Sequence, residues 1–369
     1  MNEILMYQTR QKRLLAYIQQ EMQTDAAFMM VPNNIYYYTG FAADPHERFF
    51  ALYMDAKLGK TTLFVPALDE SAAAIAEVDH IIPVSDTENP YEKFAQTIGD
   101  APSKVAIEKS YITIMQMEQL EKQFSTLTFQ NMEPFIATMR AQKTPTEIEH
   151  VRQAVVISEK ALQTTWNKIQ PGMTELEIKA ELEYQMTILG ADAIAFKTIV
   201  LSGKRAALPH GSASNTVVKN GDFLLFDFGV TKNGYHSDLT RTCIVGEGTN
   251  EQEKIYHTVR HANERAIAAV KIGTPLQKID QAARNYIEEK GYDAYFTHRI
   301  GHGLGLDVHE YPSIHHENTD IIQQGLLFTI EPGIYVPNIG GVRIEDDLYV
   351  HSDGQIEVLS TFTKDLIYV

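Results

Sequence analysis

The sequence is poor in cysteine, in basic charge and in long apolar runs, and each shortage removes a class of protein. Cys243 is the only cysteine. One thiol cannot close an internal disulfide, which suits a reducing compartment. Lys and Arg number 32 against 48 Asp and Glu, a formal net charge of −16. No Lys/Arg cluster is present to neutralise a phosphate backbone, so a nucleic-acid partner is not expected. No stretch approaches the roughly 20 apolar residues of a membrane span. The first residues, MNEILMYQTRQKRLLAYIQQEM, carry charge throughout and lack the apolar core of a signal peptide. The expectation is a cytoplasmic protein with no membrane partner, acting on small molecules.

The chain has 369 residues, 44% of them hydrophobic, enough for two domains. A surface helix over residues 4–22 is followed by β-like runs at Ala27–Val31, Phe49–Met54, Thr61–Val65 and Lys104–Ile107. Helix-like stretches such as Asp69–Glu77 and Ile112–Phe124 lie between them. Strands alternating with helices predict an α/β domain over residues 1–133. The pattern then changes. Thr144-Pro145-Thr146-Glu147 joins an N-cap, a first-turn proline and a capping-box glutamate, and Thr174-Glu175-Leu176-Glu177 opens a second helix the same way. Asn250 to Glu253 starts a third long helix and Gly273 to Gln277 its follower. Each helix pair precedes two β-like segments: Asp222–Val230 and Tyr235–Val245, then Leu326–Glu331 and Gly341–Val350. Residues 140–369 therefore read as an α+β domain with an internal pseudo-twofold repeat of a helix–helix–hairpin unit.

The repeat places the chemistry. In both Gly221–Gly229 and Gly325–Gly333 a turn glycine leads into an apolar strand. An acid stands six residues after the first glycine, Asp227 in one copy and Glu331 in the other. Each strand is followed by a second acid-bearing strand, with Asp238 and Glu345. An unpaired carboxylate inside an apolar run is costly to bury. Four that converge would repel and protonate unless cations hold them. Strand-end acids neutralised by Arg or Lys explain any one of these residues better than all four. The run from His298 to Glu310 adds three histidines, His298, His302 and His309, among glycines that allow a close backbone approach. Its glycine spacing lacks the Lys-Ser/Thr of a phosphate loop. One nitrogen with four carboxylates is a hard ligand set. It suits two divalent ions, Mn2+ first, with Co2+, Zn2+ or Fe2+ as alternatives.

These segments resemble the pita-bread metallopeptidases, which include Xaa-Pro dipeptidase (prolidase) and Xaa-Pro aminopeptidase and are related to methionine aminopeptidase. The run His298–Glu310 is similar to the signature of the proline-specific members. Asp227-Phe228-Gly229, Asp238–Thr242, Glu331-Pro332-Gly333 and Val342–Asp346 look like metal-ligand segments, and Met139–Ile148 looks like the inter-domain junction. The resemblance implies a creatinase/prolidase-type N-terminal domain before a pita-bread catalytic domain. It implies metal ligation by Asp227, Asp238, His302, Glu331 and Glu345, with Asp238 and Glu345 bridging. It gives Glu331 a proton-shuttling role, and His210 and His309 an oxyanion or carbonyl contact. His298 would line the pocket, and Arg343 would pair with Asp227 or meet a substrate carboxylate. Creatinase-type relatives drop metal ligands and this sequence drops none; methionine aminopeptidases usually lack so long an N-terminal domain. The implied function is hydrolysis of Xaa-Pro dipeptides, with aminopeptidase P action on longer peptides as the alternative. The implied assembly is a homodimer in which the N-terminal domain covers the partner's active site. The loop Gly40–Arg48 resembles one in prolidases of lactic-acid bacteria. His46 or Arg48 either reads the dipeptide carboxylate there or belongs to a solvated charged turn.

Overall fold

The computed structural model describes residues 3–99, 102–124 and 127–369. The chain forms two compact units, Met1–Met139 and Arg140–Val369. The first contains a six-stranded mixed sheet. Its strand order is His80–Val84, Lys60–Pro66, Ala51–Asp55, Ala26–Met29, Lys104–Ile107 and Thr128–Asn131. Aromatic side chains, among them Phe28, Phe49, Phe64, Phe94 and Phe124, fill its core. Two features depart from the sequence pattern. Pro32–Thr39, rich in turn residues and tyrosine, is a helix. Its N-cap, Val31, has no side chain to offer. The buried Glu108 instead anchors the chain entering the helix, accepting from the N–H groups of Met30 at 2.7 Å and Val31 at 2.8 Å and from Asn34 Nδ2 at 2.6 Å. The two edge strands, His80–Val84 and Thr128–Asn131, were not expected. One contains Pro83 and the other is mostly polar, and both compositions are tolerated at a sheet edge.

The second unit opens with the helices Pro145–Trp166 and Glu175–Ile188. Both are closed by the capping boxes read from the sequence, Thr144 with Glu147 and Thr174 with Glu177. The strands Ile199–Ser202, Phe223–Phe228 and Leu239–Ile244 then form one antiparallel sheet. A second helix pair, Asn250–Ala268 and Gln277–Glu289, precedes a five-stranded sheet. That sheet runs Glu310–Ile314, Gly301–Gly303, Leu327–Ile330, Asp346–Val350, Ile356–Val358. This is the pita-bread arrangement, a helix–helix–sheet unit made twice. One core cluster, including Phe223, Ile255, Val259, Ile279, Ile287 and Phe328, joins both halves.

The repeat is not exact. The long segment predicted over Gly341–Val350 is two strands. Gly340–Arg343 pairs with Gly333–Val336 in a small hairpin, and Asp346–Val350 pairs with Leu327–Ile330. Asp227 stands opposite Thr240 in register. Glu331 and Glu345 both lie one residue beyond the last pair of their ladder, Ile330 with Asp346. A hydroxyl, not an acid, therefore faces the first acid of the first hairpin. No helix among the described residues is long and apolar enough to cross a membrane.

Candidate metal centre

The sheet ends bring Asp227, Asp238, His302, Glu331 and Glu345 together. Three overlapping groups have ligand atoms within 4.8 Å of one another: Asp227, Asp238 and Glu345; His302, Glu331 and Glu345; and Asp238, His302 and His309. Asp238, Glu345 and His302 are buried, and Asp227 and Glu331 are partly so. Asp227 sits in the strand Phe223–Phe228. Asp238 lies just before Leu239–Ile244, and Glu345 lies between the strands Gly340–Arg343 and Asp346–Val350.

The imidazole of His302 tests whether a cation fits. Its Nδ1 meets the Gly303 carbonyl oxygen at 3.1 Å. A carbonyl only accepts, so Nδ1 carries the proton and Nε2 presents a lone pair. That lone pair faces carboxylate oxygens of Glu331 at 3.4 Å and Asp238 at 3.7 Å. Burial holds the imidazole neutral, down to about 3, and the charge of His309 adds to the shift. The carboxyls move the other way. Burial, then the charges of Glu345 and Asp227, raises Asp238 well above the usual range. Burial, then Glu331 and Asp227, does the same to Glu345. Burial pushes Glu331 up to about 7 although Arg343 pulls it down. Lone pairs facing lone pairs among mutually repelling acids is an arrangement that divalent cations relieve.

This electrostatic pattern predicts a direction for metal uptake. Glu331 lies at about 7 in the folded chain against an ordinary 4.5. The stability linked to it is therefore fully present below the ordinary value and is lost as pH rises through the folded one. The metal-free protein should melt at progressively lower temperature over that window. Ligation requires the deprotonated carboxylates. Added Mn2+ should accordingly raise the melting temperature little near about pH 5 and most above about pH 7. Thermal melts with and without Mn2+ check this. A stabilisation that shrinks with rising pH would contradict a carboxylate-held ion.

Comparison with known proteins agrees with the site. Residues 149–352 match metallopeptidase family M24, and residues 10–142 match the creatinase/prolidase N-terminal domain. The chain belongs to metallopeptidase family M24. An uncharacterized peptidase of Staphylococcus aureus is 40% identical over 343 residues, 93% of this chain and 96% of that protein. The structure of an Xaa-Pro dipeptidase from Bacillus anthracis has a TM-score of 0.90 at 31% identity, covering 98% of this chain and all of that one. An X-Pro aminopeptidase from Thermotoga maritima has a TM-score of 0.87 at 34% identity, with the same coverage.

The other candidate residues of this M24 peptidase lie partly around the centre and partly in the first unit. His309 stacks edge-on against His302, with ring centroids 4.2 Å apart at 89°, close enough to join a ligand group. His210 is exposed; burial first, and then the cationic neighbours Arg343 for one and Arg299 for the other, lower His298 and His309. His298 donates from Nδ1 to the Arg299 carbonyl at 2.8 Å and accepts from the Tyr335 hydroxyl at 3.0 Å. The Tyr335 oxygen in turn accepts from Arg343 Nη1 at 2.8 Å. Arg343 also bonds Thr240 Oγ1 at 3.0 Å and ion-pairs with Asp227. Of its two expected partners, the structure pairs it with the carboxylate of Asp227. His46 and Arg48 lie in the first unit. His46 is exposed beside Asp44 at 3.6 Å, and Arg48 bonds Asp86 at 2.9 Å.

Two details differ from the sequence reading. The Cβ that Gly301 lacks would lie 2.0 Å from the Thr329 carbonyl oxygen, and that of Gly303 2.2 Å from the Tyr311 oxygen. These glycines admit neighbouring strands rather than an ion. Thr240, Tyr335 and Asp347 were not anticipated, yet they hold Glu345, Arg343 and Asp238 respectively. Thr240 had one signal, its place two residues after Asp238 on the same strand face.

Proposed function

We propose that this metallopeptidase is an Xaa-Pro dipeptidase that cleaves the peptide bond before a C-terminal proline. The observation that carries the hydrolytic part is the His302 lone pair facing Asp238 and Glu331 within a four-carboxylate cluster. The Xaa-Pro part rests on similarity to the Bacillus anthracis enzyme. In this reading Asp227, Asp238, His302, Glu331 and Glu345 would hold two divalent ions, Mn2+ foremost, and Asp238 and Glu345 would be the carboxylates that serve both. Such ions supply an activated water and Lewis acidity toward the scissile carbonyl.

The chain's own residues do the rest. Arg343 occupies one oxygen of Asp227 and so fixes the direction of the other. Glu331 passes a proton between its carboxylate and the leaving proline nitrogen. Exposed His309 and His210 donate to the carbonyl oxygen as it gains charge. His298, anchored on Tyr335, lines the pocket. Residues 140–369 form the catalytic domain and residues 1–133 the domain that limits substrate length, acting across a homodimer in the cytoplasm. Arg48 would have to exchange Asp86 for the substrate carboxylate in that role. Release of the first residue from longer peptides is the second reading, favoured by the 34% identity to the Thermotoga enzyme.

The decisive assay compares Leu-Pro, Leu-Pro-Pro and Leu-Leu on Mn2+-loaded protein. Hydrolysis of Leu-Pro alone is expected. Efficient leucine release from Leu-Pro-Pro would give the function to the aminopeptidase, and inertness on both Xaa-Pro peptides would remove the Xaa-Pro reading.

A further inference from the structure

Asp238 lies one residue outside the ladder that pairs Leu239–Ile244 with Phe223–Phe228. Ser237 before it donates to the Val230 carbonyl, so by alternation along the strand the N–H of Asp238 points away from that partner. The acceptor it meets is a side chain, Asp347 Oδ2 at 3.2 Å. His302 is in a similar position. Its strand is three residues long with a register shift beside it, and its N–H meets Thr329 Oγ1 at 3.3 Å. A buried N–H left without an acceptor is costly, so these side chains set where both backbones rest.

Thr329 and Asp347 are not independent. They stand directly opposite each other in the ladder between Leu327–Ile330 and Asp346–Val350. Their side chains therefore share one face and a separation fixed by the sheet. Both residues are fully buried. Asp347 Oδ1 finds no hydrogen-bond partner among the described residues. A carboxylate so placed contributes poorly to packing. Its neighbour Asp346, in contrast, meets Arg241 and Lys364, both at 2.8 Å. The feature of Asp347 that the structure uses is the oxygen turned toward Asp238.

We propose that Asp347 and Thr329 are a positioning pair. One takes the N–H of Asp238 and the other that of His302, and the rigid spacing of the pair sets the 3.7 Å approach of those two side chains. Asp238 and His302 come from different halves of the repeat. The pair thus carries the register of one sheet into the separation between two candidate ligands. The inference rests on the reading of these residues as holding two ions, and its test does not depend on turnover.

Full-length protein is stripped with a chelator and titrated with Mn2+, following stoichiometry and affinity by calorimetry and spin coupling by electron paramagnetic resonance. Wild type should take up two ions per chain with a coupled signal. Asp347→Ala and Thr329→Val should each weaken one of the two ions roughly 10- to 100-fold and yield an uncoupled signal at one equivalent, as loss of a ligand's support does. Asp347→Asn and Thr329→Ser keep an acceptor oxygen and should restore the second ion to within about threefold of wild type. Thr329→Val nearly preserves shape, so it decides the matter if Asp347→Ala does not fold. Two ions bound at wild-type affinity by Thr329→Val would overturn the proposal. So would Asp347→Asn binding as weakly as the alanine variant, since the requirement would then be for charge and not for an acceptor. A wild-type chain that takes up fewer than two ions would overturn the dinuclear reading itself, a result distinguishable from the others.

Discussion

Replacing Asp238 with asparagine is expected to reduce Xaa-Pro dipeptide hydrolysis by at least roughly a thousandfold, because the ions it helps hold contribute several kcal/mol to the transition state. The same variant should take up fewer than two Mn2+ per chain. Asp238, like His302 and Glu345, belongs to two of the three ligand groups; its own are one with Asp227 and Glu345 and one with His302 and His309. Asparagine keeps the volume and one oxygen but loses the charge that cations require from a bridging carboxylate. The fold should survive, since the Asp238 backbone N–H still meets Asp347. The metal-free variant should even melt higher than metal-free wild type near neutral pH, because burial raises the Asp238 carboxyl and asparagine removes the cost of holding it protonated there. Turnover and metal content measured on the same preparation check the prediction. Activity within about tenfold of wild type, with two ions bound, would remove the bridging role from Asp238.

Much of this centre is legible in the sequence because its acids break a strong pattern. Asp227 and Glu331 interrupt apolar strand runs at equal distances from turn glycines, and His302 sits among glycines. The helices before them announce themselves through local capping boxes at Thr144 and Thr174. What stays hidden depends on pairing across about a hundred residues. Nothing near Thr240 in sequence says that its hydroxyl will meet Glu345 Oε2 at 2.7 Å. Nothing near Asp347 says that it will face Asp238. Tyr335 reads as one more β-forming aromatic until Arg343 and His298 are seen on either side of its hydroxyl. The helix Pro32–Thr39 was hidden for a related reason. Its anchor, Glu108, comes from a distant part of the chain, so nothing local marks the helix start. Tertiary partners decided these cases, and propensity could not.

Arg241→Met is expected to destabilise the second unit by about 3–5 kcal/mol, the usual cost of removing one partner from a buried ion pair. That corresponds to a fall in melting temperature of about 10 °C for a unit of this size. Arg241 is almost fully buried in the strand Leu239–Ile244, whose residues are all buried. It donates to the carbonyls of Thr240 at 2.9 Å, Glu345 at 2.5 Å and Phe362 at 2.9 Å, and to Asp346 Oδ1 at 2.8 Å. One guanidinium thereby ties the strand after Asp238, the backbone of Glu345 and the C-terminal segment. Methionine fills similar space but leaves Asp346 with only Lys364 and Ser360. Burial alone would push Asp346 up, yet Arg241 and Lys364 hold it below its ordinary value. Its stabilising contribution is therefore present above the unfolded pKa and lost as pH falls. With Arg241 removed, the acid limb of the stability profile should move to higher pH. Adding Asp346→Asn removes the charge that Arg241→Met strands. The double variant should be less destabilised than the sum of the two single ones. Strict additivity in that cycle would mean that the two charges do not support one another. A fall of less than about 2 °C in Arg241→Met would mean that the C-terminal segment is held by packing alone.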